Sequence, residues 1–513
     1  MGAALLIILA GGTVYAFGAY SEALKATLEL SQAQLELAAL CGNLGNYLGT
    51  AGFFYDRFGG VASVKFGALL IGVGYGCQWL LATWGSTYAI ELLCACCFVW
   101  GHGSGYLDCA AVGSGVAAFP RRRGAVVGLL KSFYGLASSM IILALPWLGG
   151  IDFIAALAVV AGGLPLLALY AFEDAPDRAG KSDALDALAG RTFTSLAGRV
   201  VAFSLLALGI AILRVVAPPS ALGFNVLVSL LVAAGLAWIV RAAARGPRRE
   251  LVEEEDEEDA PSTEPSSEHE YPCATLQSPE EHDSHPCATL QSPEYWLLLL
   301  AILPGAGMGL MTINNLGQIV SARGGVASTQ RAATAIVSVA NGLGRLGCGA
   351  LADRIVARGR PRALFVVAAD LVGALAMLVF YASGTSVPTA LVAAALAGAA
   401  YGAIWTLIPT LAADLFGRQH FGSNYALILP SVSLAAILFS TVLAPAVYAA
   451  HADDDGCAGA DCFGLTFLIT AMSCGAGAVM ALLLGVRSRG RYVADVPPES
   501  LLAASEGAGA PVV

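Results

Sequence analysis

At 513 residues, with 57% of them hydrophobic, only 12% charged and a mean hydropathy of +0.72, this chain lies far from the roughly 25% charge of soluble domains. That excludes the water-soluble globular classes and places the chain in a bilayer. The formal net charge of −10 is concentrated in one polar stretch and gives no hint of nucleic-acid binding.

In chain order, apolar runs long enough to span a bilayer fall at 3–20, 34–55, 62–82, 87–111, 124–146 and 151–172. Two more follow near 198–216 and 221–240. After a polar gap come 295–320, 331–352, 362–382, 387–412, 422–448 and 463–486. The predicted fold is an all-α polytopic membrane protein of about fourteen transmembrane helices. Its expected parts are an N-terminal six-helix bundle (1–175), a cytosolic loop with two extra helices (176–240), an acidic linker (241–294), a C-terminal six-helix bundle (295–490) and a cytosolic tail (491–513). The first run has no basic leader and no small-residue cleavage site, so it reads as a helix and not as a cleaved signal. With the amino terminus inside, Lys25, Arg214, Arg323 and Arg331 fall outside, Lys131 and Arg345 fall within helices, and the rest of the 27 basic residues are cytosolic. That bias predicts an even helix count.

The linker opens basic, turns acidic over 250–259 and continues rich in Pro, Ser and Glu, a composition that predicts disorder. Within it Pro272-Cys-Ala-Thr-Leu-Gln-Ser-Pro-Glu280 recurs as Pro286-Cys-Ala-Thr-Leu-Gln-Ser-Pro-Glu294. A recent tandem duplication in a tether explains the repeat, and a docking or phosphorylation role at Ser278 and Ser292 is the functional alternative. Most of the 12 cysteines lie in apolar runs as small hydrophobes. Cys94-Ala-Cys96-Cys97 lacks partner ligands at metal-binding spacing, so no metal is expected. Cys457 and Cys462 fall in a predicted outer loop, where a short-loop disulfide can form.

One pattern occurs twice. Gly52-Phe-Phe-Tyr-Asp56-Arg57 and Gly349-Ala-Leu-Ala-Asp353-Arg354 each close an apolar run. A small residue lets helices touch, and an acid with a base at the bilayer surface can pair. Two copies predict a duplicated machine with a cytosolic latch. Polar residues inside the runs are costly in lipid and point to a cavity or another helix. Lys131 sits two turns into its helix, about 10 Å at 1.5 Å per residue from Gly124, too deep for easy snorkelling, and is expected to be a cavity cation. Arg345 lies among glycines that leave its fork free for a carboxylate or phosphate; pairing with Asp353 is the structural alternative. Asp108, with His102 about a turn and a half away, and Asp370 are the proton-coupling candidates, because burial favours the neutral acid. Tyr15, Tyr134, Asn314, Asn315, Tyr401, Trp405 and Tyr425 complete the expected substrate-binding set.

Several stretches together resemble a known family: Tyr15 to Lys25, Phe119-Pro-Arg-Arg-Arg-Gly124 followed by Gly128-Leu-Leu-Lys131, Asn314-Asn-Leu-Gly-Gln318, Tyr401-Gly-Ala-Ile-Trp405 with Pro409, Phe416-Gly417 with His420-Phe-Gly422, and Cys457 to Phe463. They resemble the nodulin-like branch of the major facilitator superfamily, related to oxalate/formate and monocarboxylate carriers. The segment around Arg345 is similar to one of monocarboxylate carriers in which the arginine contacts substrate carboxylate, and the resemblance implies that role here. Two departures stand out: Val61 replaces a basic residue of the cytosolic motif, and Cys41-Gly-Asn43 stands where many relatives carry an acid. The chain is thus expected to be a secondary carrier of alternating access. Its expected cargo is a small organic anion such as a monocarboxylate, with protons as a candidate coupling ion. A neutral or cationic cargo, or a carrier-fold sensor or scaffold signalling through its linker, are the alternatives. No Walker-type loop and no paired catalytic groups are present, so no cofactor and no enzymatic activity are expected. The expected partners are a small-molecule substrate and the bilayer, with the carrier acting as a monomer.

Overall fold

The computed structural model describes residues 1–145, 148, 150–169, 193–207, 209–210, 226–243, 283–452 and 457–494. The described residues of the first half form α1 (Gly2–Gly11), a 3-10 turn (Gly12–Ala16), α2 (Phe17–Thr27), α3 (Gln32–Asn46), α4 (Thr50–Trp84), α5 (Ala89–Ala118), α6 (Arg123–Ala144) and α7 (Asp152–Ala168). Two apolar helices follow, α8 (Phe193–Ala207) and α9 (Val226–Ala243). The second half comprises α10 (Pro286–Gln291), α11 (Pro293–Ser321), α12 (Ala327–Val356), α13 (Ala363–Ala382), α14 (Val387–Phe416), α15 (Phe421–Ala435), a π-helical segment (Ala436–Leu443), α16 (Ala444–His451) and α17 (Asp461–Ala494).

Among the described residues ten helices are long and apolar enough to cross a membrane. The chain is a multi-pass integral membrane protein. That count differs from fourteen partly because glycines redraw boundaries. Gly49 (φ 88°) breaks the second predicted run, and Gly59 (φ 80°) forms a bend inside α4, where a turn between two spans was expected. Both φ values lie where only glycine is unstrained, so Asp56 and Arg57 ride on a helical turn just before the bend.

The linker reading is corrected at its end. The acidic run at 250–259 and the first repeat at 272–280, with Ser278, lie outside the described residues, but 283–294 are built onto the second bundle. Asp283 accepts the backbone N–H groups of Arg418 and Gln419 at 2.7 and 2.9 Å. The second repeat folds as α10 with Pro286 in its first turn, where a missing N–H costs nothing. Its Thr289 is buried and donates to Asn424 at 2.9 Å. Ser292 then caps α11 by accepting the Tyr295 N–H. Three polar residues, Asp283, Thr289 and Ser292, thus overrode a disorder-prone composition. The expected tail is shortened too, because α17 runs to Ala494 and Tyr492 donates to Asp414 at 3.1 Å. Cys457 and Cys462 are joined, with Cα atoms 5.8 Å apart.

Candidate functional site

The duplicated motif forms two fastenings between the halves. Asp56 on α4 accepts the N–H groups of Gly422 and Ser423 at 2.9 and 2.7 Å, in the first turn of α15. Asp353 on α12 accepts those of Gly124 and Ala125 at 2.9 and 2.8 Å, in the first turn of α6. Each carboxylate therefore satisfies open donors at the positive end of a helix in the opposite half. Glycine makes the approach possible: a Cβ at Gly52 would overlap the Gly422 carbonyl, and one at Gly349 the Gly124 carbonyl. The expected pairing of each acid with its neighbouring arginine is not what forms. Arg57 and Arg354 are exposed, with Arg57 lying over the Phe58 ring, because consecutive helical residues point about 100° apart. The base on Asp353 is Arg362, at 2.9 Å. Arg362 also pairs with Asp414 at 2.8 Å, and Asp414 with Arg123 at 3.1 Å. Removing one such cap costs typically ~1 kcal/mol, so Asp56→Ala should lower the thermal midpoint slightly. Asp353→Ala should lower it further, since it also strips Arg362 of a partner. Equal midpoints in differential scanning fluorimetry would contradict that ordering.

Above this closed end lies a buried polar cluster. Lys131 on α6 is 1% exposed, and its Nζ donates to both oxygens of Asp108 on α5, at 2.6 and 2.7 Å, and to the Tyr425 hydroxyl on α15 at 3.0 Å. Tyr425 donates in turn to Asp108 at 3.0 Å. The ammonium also lies 5.1 Å from the Trp405 ring centre and 5.5 Å from that of Tyr134. Arg345 on α12 is 0% exposed. It donates to the Asn341 side chain at 2.8 Å, to the Lys131 carbonyl at 2.7 Å and to the Tyr15 hydroxyl at 3.5 Å, and lies 5.9 Å from the Trp405 ring centre. Gly135 opens the space beside it: a Cβ there would sit 3.3 Å from Arg345 Cζ. Aromatic rings wall the cluster, with Tyr15 against Tyr134, Tyr47 against Trp405, and Tyr401 edge-on to Trp405. Among the described residues the Tyr401 hydroxyl and the Trp405 indole N–H are buried without hydrogen-bond partners.

The structure thus gathers Tyr15, Lys131, Tyr134, Arg345, Tyr401, Trp405 and Tyr425, and adds Asp108 as the counter-ion of Lys131. Arg345 turns away from Asp353, whose oxygens are held by α6 and Arg362. Other expected residues lie elsewhere. His102 contacts Thr50 and the Gly45 carbonyl and stacks on Phe98. Six positions along a helix leave it about 240° around from Asp108. Asn314 donates to Ser440 in the π-helical segment, and Asn315 turns back on the Met311 carbonyl of its own helix. Asp370 is buried within the second bundle. Sequence reasoning missed Tyr47, Asn46, which donates to Tyr134, and Asn341. Only Asn341 carried a signal, standing one helical turn before Arg345.

Known proteins agree with this architecture. The family model described as Nodulin-like matches residues 1–238, and that described as NFD4, C-terminal domain, matches 287–494. The N-terminal part of the chain thus matches the nodulin-like family. Among curated relatives, Protein NUCLEAR FUSION DEFECTIVE 4 of Arabidopsis thaliana is 26% identical over 522 residues, spanning 96% of this chain and 88% of that protein. A probable transporter, MCH1 of Wickerhamomyces anomalus, is 29% identical over 150 residues, covering 29% of this chain and 30% of that one. Among solved structures, the proton:xylose symporter XylE bound to 6-bromo-6-deoxy-D-glucose aligns over 93% of both chains with a TM-score of 0.58 and 16% identity. XylE from E. coli in a partially occluded inward-open conformation aligns over 93% of this chain and 95% of its own, with a TM-score of 0.52 and 14% identity. The chain therefore has the major facilitator fold.

Proposed function

We propose that this protein is a secondary active carrier of a small organic anion, held between Arg345 and Lys131 and exposed alternately to the two sides of the membrane. The observation that carries the reading is the charge count in the buried centre. Two cations, Lys131 and Arg345, face one carboxylate, Asp108, and the hydrogen-bond partners of the Arg345 guanidinium are all neutral. A buried charge without a counter-ion is costly, and a carboxylate cargo supplies the missing one in the planar, two-pronged geometry that guanidinium prefers. The aromatic wall excludes water around it and strengthens the attraction. The cluster is packed shut at both fastenings, so entry requires the halves to rock apart. The test is a thermal-shift screen of the purified protein with mono- and dicarboxylates, sugars and amines, since a ligand that binds only the folded form raises its midpoint. A carboxylate shift that Arg345→Ala and Lys131→Ala each remove is expected. A sugar or amine shift that survives both variants overturns the anion assignment.

A further inference from the structure

Asp370 on α13 is an acid that the central cluster does not use. It is 0% exposed, and among the described residues neither carboxyl oxygen has a hydrogen-bond partner. Its surroundings are shaped around it: a Cβ at Gly305 on α11 would lie 2.6 Å from Oδ1, and one at Gly477 on α17 would lie 2.7 Å from Oδ2. The same point at Gly477 is 3.1 Å from the Ala301 carbonyl oxygen, so the acid and a backbone acceptor border one glycine-sized gap. Pro304 lies one residue before Gly305 on α11, and its missing N–H leaves the Leu300 carbonyl without its helical donor. The ionisable neighbours are few. From α17 there is Cys474, whose Sγ lies 3.6 Å from the Cβ position of Gly373, one turn along α13 from Asp370. From α14, Ile404 packs at Gly305 and Tyr401 one turn further, at Gly309. Among the described residues no cation pairs with the acid.

An ionised carboxylate in such a place has lost its water and gained no partner in return, which is costly. A neutral carboxylic acid loses far less. We propose that Asp370 is a proton-binding acid of the carrier, neutral in this closed arrangement and releasing its proton to water when the α11, α13 and α17 contacts loosen. This rests on the carrier reading but not on the cargo's charge. The transfer is a single O–H heterolysis: the proton passes to water or buffer, and the carboxylate stays behind, hydrated.

The experiment needs no cargo. Spin labels at Ser86→Cys and Thr385→Cys, on exposed connectors of the two halves, are read by pulsed dipolar spectroscopy in nanodiscs at about pH 5 and about pH 9, either side of an ordinary carboxyl or imidazole range. The exposed Cys77 and Cys287 are replaced by serine. The parent should shift its distance distribution with pH, and Asp370→Asn, a permanently neutral isostere, should lose the shift and keep the acid-side distribution. Infrared difference spectra over the same pH change should show a protonated-carboxyl carbonyl band in the parent that is missing from Asp370→Asn. A pH-insensitive parent, a variant that shifts like the parent, or an unchanged band each overturns the assignment. So does a shift driven by sodium at constant pH that Asp370→Asn abolishes. A failed anion screen would leave these readouts untouched, so the two proposals fail separately.

Discussion

Methionine at position 131 should destabilise this protein more than any substitution that keeps the charges paired. Lys131→Met leaves the Asp108 carboxylate buried, with Tyr425 as its one remaining donor among the described contacts. Breaking a buried pair from one side costs about 3–5 kcal/mol. Removing both charges, Lys131→Met with Asp108→Asn, should recover most of that loss, because the desolvated anion is gone and the cluster keeps its volume. Scanning calorimetry or fluorimetry in detergent reads both values. If single and double variants melt together, the pair contributes no strong coupling and the 2.6 Å contact is incidental. Transport should be lost in both variants. Stability and function therefore separate at this residue: the double variant is a folded but inactive carrier.

The second large effect is expected at the crossing points. A valine at Gly52 cannot coexist with the Gly422 carbonyl, so the helices must part before the first fastening can form. Overpacking of this kind costs ~1–3 kcal/mol, roughly a five- to 150-fold fall in the closed population at about 1.36 kcal/mol per tenfold. Cys348 reports it. The thiol is buried at the other fastening, next to Gly349, remote from the substituted site. Its labelling by a maleimide should rise in step with the loss of closure in Gly52→Val, and the same variant should accumulate no cargo. Labelling at the parent's rate would mean that α4 and α15 do not need to touch for the protein to close.

Much of this was legible from the chain, and the misses have physical causes. Apolar run length found the helices, because a bilayer punishes exposed polar backbone everywhere along a span. Lys131 and Arg345 were legible because a cation two turns inside an apolar run has few alternatives to a polar interior. The partner of Lys131 was not, since α5 and α6 meet at a register that no local spacing encodes. His102 looked like a companion of Asp108 by proximity in sequence, yet helical phase turns it to another face. The latch illustrates both sides: duplication exposed its parts, while the donors its carboxylates accept from, four backbone N–H groups at helix starts, have no side-chain signature. The order at 283–294 escaped because composition averages over a window, whereas Asp283 and Thr289 act as single anchors.

The exchanged carboxylates also make closure a bivalent attachment. Once Asp56 has seated on α15, Asp353 meets the start of α6 at an effective concentration set by rigid bundles and not by diffusion, as in any two-site ligand. Each contact alone is weak enough to release, while the pair is held firmly. Damage at the two seats should therefore combine non-additively. Losing the second after the first removes little more, because avidity has already collapsed to a single grip.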